Sequence, residues 1–496
     1  MRSLLGRFHR PMSRGAMGDM LTMNSLGDGS TLSLDFTTGV LDSRLTFSRA
    51  GGGTYVGTDG YIYGVDNATS ASLAIGTGSK SVTITATASV DRRFQVGQNV
   101  YFSNGANNMS GLVTAYDSST QVITINATAT TGSGSFTSWF VGNASPRFDY
   151  SPTNIGEPRG LLIEGSASNL VTQSNGATSV WGIGGNRTPT NNTTDLLSPD
   201  GTNNATKLVC GTATNYASYA TTITGLTGGG TYTVSYWIRG PVGHTPRLYA
   251  LNGTIGDVTP TATTGTYNNT GWTRLTQTYT LPATTTQVYV YFMSVSIVVT
   301  GDTFYVYGFQ LETGSGASSL IPTGASQVTR NADICYIPIS AIGFNTSGGT
   351  FFASFYRGEA NLDLNQEGSV LNTDYADTRW LSIKSGYGQT TFGLGAWNAS
   401  INKTGAGVFG LNTAAGSYAS WVTSTTGIFT VNGATAVSGT LSNLGITPNN
   451  LMIGSASQSS PYNGVSLRDF LNNSIKSIKY FPTAKSAAEL QTLTTP

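Results

Sequence analysis

Tyr232-Thr233-Val234-Ser235-Tyr236-Trp237-Ile238 is the stretch that decides the fold class. One parity of it, Tyr232, Val234, Tyr236 and Ile238, is wholly apolar, while the other carries Thr233, Ser235 and Trp237. A period of two is what a half-buried β-strand requires, because successive side chains leave the pleat on opposite faces. The apolar parity belongs in a core, which aims Trp237 away from it. Lys207-Leu208-Val209 before this strand, and Trp272 to Tyr279, Thr286 to Met293 and Thr303 to Leu311 after it, have the same character. Together they predict a β-sandwich over 171–335.

The rest of the chain is written in the same alphabet. Charged residues make up 10% of the 496, against roughly 25% in an ordinary soluble domain. Ser and Thr hold the polar positions that Lys and Glu fill in helical proteins, so the expected class is all-β. A formal net charge of +1 gives no basis for nucleic-acid affinity. Between about Ser72 and Val141, strands at Val82 to Thr85, Asn99 to Phe102 and Val122 to Asn126 alternate with Gly-rich turns. They predict a small β-barrel-like module, 72–141, inserted between two halves of a β connector, 31–71 and 142–170. From Gly349 to Phe355 onward, 336–496 reads as a second sandwich. It closes with Ser486 and Glu489 in capping-box spacing and a short helix carrying Leu490 and Leu493.

The start of the chain differs. Arg2, Arg7, His9, Arg10 and Arg14 precede the first acid, Asp19, and are interleaved with Leu4, Leu5, Phe8, Met12, Met17 and Met20. Residues 1–30 are either a solvated tail or an arm that docks on an acidic partner. Leu4-Leu5 is too short for a signal-peptide core, and no apolar run approaches the ~20 residues of a membrane span. No membrane insertion is expected, and the site of synthesis and residence is expected to be a cytoplasm until release.

Catalysis finds little purchase. The two histidines, His9 in the tail and His244 after a Gly-Pro-Val-Gly turn, exclude a His-based triad or a His-rich metal site. Cys210 and Cys335 are expected as free thiols in β cores. Gly51-Gly52-Gly53 and Gly228-Gly229-Gly230 lack the Lys-Ser/Thr of a phosphate cradle. Glu359, Asp363 and Glu367 are spaced four and four among Asn and Gln, which favours a polar loop. No catalytic residue and no cofactor is therefore expected. Sugar recognition needs only exposed aromatic faces with polar side chains beside them. Trp237, with Arg247 and Tyr249 two apart on the next strand, forms one candidate set; Trp380, Tyr387, Trp397 and Asn398 form another. For Trp237, packing under a loop or against a neighbouring subunit is the competing role; for the second set it is core packing.

Several stretches resemble known families. The pattern over 72–141 resembles a small β module of bacteriophage tail-fibre and appendage proteins. Leu34 to Gly39, Leu45-Thr46-Phe47-Ser48-Arg49-Ala50, Pro146-Arg147-Phe148-Asp149-Tyr150, Arg159 to Glu164 and Asn169-Leu170 resemble one motif set of phage and prophage structural proteins. The 171–335 region, ending in Gln310 to Gly314, Ser319 to Thr323 and Thr329-Arg330-Asn331-Ala332-Asp333, resembles the jelly-roll carbohydrate-binding modules attached to phage fibres. Leu451 to Ser455 and Leu471 to Pro482 resemble the final strands of concanavalin A-like sandwiches of laminin G or pentraxin type. Gly308 stands where many secreted relatives carry an acidic residue that helps hold a structural calcium, which leaves that ion without its ligand. The Glu-x-Asp-x-x-Glu motif of the glucanase relatives is absent.

These resemblances imply a virion protein, a fibre-like appendage or a capsid decoration, assembled in the host cytoplasm. Arg2, Arg7, Arg10 and Arg14 would attach it to other virion proteins, and its sandwiches would meet host-surface polysaccharide, most naturally as a homotrimer. A polysaccharide depolymerase and a purely structural decoration protein are the rival readings.

Overall fold

A computed structural model describes residues 27–85, 94–104, 107–175, 182–184, 187–211, 218–241, 247–250, 256–258, 262–264, 270–293, 300–356, 368–374, 381–386, 389–394, 400–404, 411–420, 425–441, 448–457 and 467–495. They are nearly all β, as the composition predicts, in three bodies.

The largest body is a sandwich of an eight-stranded and a seven-stranded sheet. At its centre Asn473–Phe481 pairs on one edge with Gly348–Tyr356 and on the other with two strands in succession. Leu161 lies opposite Ile475, and Leu32 lies opposite Tyr480. In the second sheet, Thr46–Ser48 pairs with Ile334–Pro338. The stretches 31–71 and 142–170, expected as a connector, thus supply strands to the C-terminal sandwich, and its core holds Leu32, Leu34, Phe36, Leu161 and Ile163 beside Phe351, Phe355, Ile475 and Tyr480. Reading along the chain could not join partners from its opposite ends.

The other two bodies are insertions into that sandwich. Six strands from Val65–Ala74 to Ser135–Asn143 close into a barrel around Val82, Val100, Phe102, Ile123, Ile125, Trp139 and Val141. The buried Trp139 indole donates to Ser70 Oγ at 3.0 Å. Beyond Asn169 come a five-stranded and a six-stranded sheet, packed over Leu208, Ile223, Val288, Phe304 and Phe309 with all four of Tyr232, Val234, Tyr236 and Ile238. The apolar parity of the deciding strand lies in the core as predicted, while Thr233 and Ser235 of the other parity are buried as well. Cys210 and Cys335 are buried and form no disulfide, one in each sandwich core. Ala487–Thr494 is a helix with the capping box in place: Ser486 Oγ accepts from Glu489 N, and the Glu489 carboxylate accepts from Ser486 N at 2.8 Å.

Where the three bodies meet lies a buried ionic joint. Arg147 donates to Glu164 at 2.7 Å, to Asp333 at 2.5 Å, to Thr54 O at 2.8 Å and to Ser319 Oγ at 2.9 Å. Arg49 donates to the other Asp333 oxygen at 2.5 Å and to the Asn143 and Ser145 carbonyls at the barrel's exit. Arg330 lies 3.1 Å from Glu164 and donates to Gly165 O at 2.5 Å. All five charged side chains are essentially without solvent. Every one of them lies in the motif stretches quoted above, whose residue types are therefore those of a joint.

Candidate functional site

The outer face of the six-stranded sheet carries the side chains that alternate with the jelly-roll core. Strand register arranges them in rows. In one row Tyr307 lies opposite Trp237, and Trp237 opposite Arg274. In the next, Tyr305 lies opposite both Lys207 and Arg239. Successive rows on one face stand ~7 Å apart, two residues along a strand.

The Trp237 row is closed over by the chain itself. The Arg274 guanidinium sits 4.6 Å above the indole, and the Tyr307 ring meets it edge-on at 6.0 Å. Arg274 also donates to Ser235 Oγ at 2.9 Å and Ser318 O at 2.7 Å. Ile62, from the Tyr55–Val56 and Ile62–Tyr63 hairpin, and Leu320 pack with Tyr307 into a small cluster against which Trp237 and Trp272 rest. Gly308 explains itself here. Its φ is 67°, and a Cβ would stand 3.0 Å from the Trp237 ring and 3.1 Å from Leu320. Further along the same face Gln310 and Glu312 are buried under Ser318. Burial pushes the Glu312 carboxyl up, although Ser318 and Gln310 donate to it.

The Tyr305 row is open. Lys207 Nζ lies 2.6 Å from Asp195 Oδ2, and the Tyr305 hydroxyl donates to the same oxygen at 3.0 Å. Lys207, through its bond to Asp195, has a raised pKa, and Asp195, through Lys207 and then Tyr305, a lowered one. Partial burial, then Asp195, raises the Tyr305 hydroxyl. The result is a half-exposed aromatic ring with an ammonium and a carboxylate fixed at one edge and Arg239 at the other. An apolar ring face with held donors and acceptors suits a pyranose, whose faces are C–H rich and whose rim is hydroxyl.

The sequence candidates fall differently. Arg247 and Tyr249 lie in the five-stranded sheet, opposite Tyr291 and Tyr289, and not in the sheet of Trp237. The next strand, Arg247–Ala250, belongs to the other sheet of the sandwich, so the two sets of side chains do not share a face. Trp380, Tyr387, Trp397, Asn398, His9, His244, Glu359, Asp363, Glu367, Arg2, Arg7, Arg10 and Arg14 lie outside the described residues. Tyr305 and Lys207 escaped notice, although their parity, opposite to Phe304, Val306 and Leu208, marked them as outward. Among the described residues no group of three or more His, Cys, Asp or Glu is placed to hold a metal ion, and no helix is long and apolar enough to cross a membrane.

Residues 161–296 match the family model of a carbohydrate binding domain. That span contains Asp195, Lys207 and Arg239 and stops short of Tyr305, so the matched stretch and the open row overlap on three of four side chains. Over that span the chain is similar to a carbohydrate binding domain. Among solved structures, the chain is similar to the N-terminal CBM22-1-CBM22-2 tandem domain of Paenibacillus barcinonensis Xyn10C, at 10% identity over 65% of this chain and 100% of that one, with a TM-score of 0.24. It is also similar to domains LG4-5 of the mouse laminin alpha1 chain, at 10% identity over 57% and 93% of the two chains, with a TM-score of 0.20. No curated protein matches it.

Proposed function

We propose that this chain is a structural protein of a bacteriophage particle, a fibre-like appendage or capsid decoration, that attaches without covalent chemistry to glycans of a bacterial surface. The observation that carries the glycan part is the carbohydrate-binding match over 161–296, which includes Asp195, Lys207 and Arg239 of the open row. The phage assignment rests on the motif resemblance. In this reading residues 1–30 bind other virion proteins, the assembly is a homotrimer, and the protein resides in the virion after assembly in the host cytoplasm.

A glycan array probed with the full chain and with Tyr305→Ala tests the binding. Hits lost in the variant are expected; an array without hits overturns the proposal in favour of a purely structural decoration. Incubation with capsule or lipopolysaccharide tests the remaining rival, since new reducing ends would make the protein a depolymerase. Deleting residues 1–30 is expected to leave a folded chain that no longer enters virions.

A further inference from the structure

A second charged cluster lies on the C-terminal sandwich, built by two adjacent β-bulges. Asp149 pairs with Gly160 and Tyr150 with Pro158, which leaves Arg159 as the extra residue of one strand. Ser354 pairs with Ser477 and Phe355 with Ile475, which leaves Lys476 as the extra residue of the next. Leu161 and Ile475 face each other across these two strands, so the bulges sit side by side. A bulge turns its extra side chain out of the regular alternation, a device that recurs beside functional sites.

Both displaced cations converge on Tyr356, the last residue of its strand. Arg159 Cζ is 5.1 Å and Lys476 Nζ 5.9 Å from the ring centre. Among the described residues neither cation makes a hydrogen bond or an ion pair, and Arg159 Nε is buried without a partner. Elsewhere cations are engaged, as in Arg44 with Asp42, Lys479 with Asp28 and the arginines of the joint. Two acids are near. Glu157 accepts from Tyr356 Oη at 3.4 Å and from Asn154 at 2.8 Å, and Asp149 is buried behind, accepting from Val56 N at 2.7 Å. At the surface of the cluster stand the two cations and the half-buried Glu157, with Asp149 beneath them.

We propose that Arg159, Lys476 and Tyr356 form a second sugar site, selective for an acidic residue whose carboxylate or sulfate meets the two cations while its ring lies beside Tyr356. A guanidinium matches the two oxygens of a planar anion, and charge-assisted bonds are about twice as strong as neutral ones. The site rests on the glycan-binding reading only for taking a sugar as the carrier of the anion.

Affinity electrophoresis of the full chain through gels containing polygalacturonate, dextran sulfate or neutral dextran tests it. Retardation by an acidic polymer is expected, weakened at least tenfold in Arg159→Gln/Lys476→Gln and unchanged in the surface control Lys80→Gln. Stronger retardation by polygalacturonate assigns a carboxylate, and by dextran sulfate a sulfate; both support the site. Lys476→Gln alone, at a half-buried position, carries the test should the Arg159 variant not fold. A wild-type chain that ignores both acidic polymers, or a double variant that binds them undiminished, overturns the proposal. Loss confined to Tyr305→Ala would assign all binding to the jelly roll and leave the first reading intact.

Discussion

Arg147 Nη2 and Asp333 Oδ2, 186 residues apart in sequence, meet at 2.5 Å with neither side chain exposed to solvent. The contact ties the strand that leaves the barrel to the segment that leaves the jelly roll, and both then enter the same sandwich. Desolvating such a pair costs much of what its attraction returns, but removing one partner leaves a buried charge uncompensated. Arg147→Met is therefore expected to lower stability by about 3–5 kcal/mol. Urea unfolding at neutral pH measures it, and a loss under about 1 kcal/mol would show that the joint is hydrated in solution.

Two acids near this joint titrate in opposite senses. Burial pushes Asp149 up from 3.8 to about 6. Burial also acts upward on Glu164, but Arg330 and Arg147 outweigh it and hold it at about 2 against an ordinary 4.5. Glu164 binds fewer protons when folded, so its contribution is present above about pH 4.5 and is lost as pH falls toward 2. Asp149 binds more protons when folded, so its contribution is full below pH 3.8 and is lost as pH rises through 6. Relative to the native chain, Asp149→Asn should gain stability on the order of 3 kcal/mol between pH 4 and pH 7. Denaturant titrations of both proteins across that range check the slope, and parallel curves would refute the shift.

Much of this was legible in sequence. Parity alone assigned Tyr232, Val234, Tyr236 and Ile238 to a core, because a strand's faces are fixed by its covalent geometry. The capping box at Ser486 and Glu489 is equally local. Pairing was not local. Nothing in Leu32-Ser33-Leu34-Asp35 announces Tyr480 as its neighbour, so the N-terminal strands were assigned to a connector. The joint lay in between: its arginines and acids were noticed as motif residues, but only their convergence shows why a buried Arg should accompany each turn of the chain between bodies. The open Tyr305 row was hidden for a different reason. Trp237 is the larger aromatic and drew attention, whereas its burial depends on Leu320, 83 positions downstream.

Gly308 should resist substitution. Ala there adopts the left-handed region at a cost of roughly 1 kcal/mol and presses its Cβ against the Trp237 ring, 3.0 Å away. Gly308→Ala is expected to destabilise the chain by about 1–3 kcal/mol. Thermal unfolding with and without calcium measures this, and the loss should be the same in both, since the glycine is held by packing. Calcium-dependent recovery would contradict that account.

The two aromatic rows of the jelly-roll face should separate stability from binding. Trp237 is half-buried under Arg274, Tyr307 and Leu320, so Trp237→Ala leaves a cavity and a guanidinium without its ring, and should cost about 3 kcal/mol. Tyr305 stands in the open row and is held by one hydrogen bond to Asp195. Its removal should cost under 1 kcal/mol, close to the net worth of a single partly exposed hydrogen bond. A stacked aromatic carries much of a sugar's affinity, so Tyr305→Ala should weaken binding to the best glycan on the array at least tenfold, while Lys207→Met and Arg239→Met weaken it less. Melting temperatures and titration calorimetry on the three variants and Trp237→Ala decide it. If Trp237→Ala loses binding at unchanged stability, the sugar lies on the tryptophan and the covering segment must move aside.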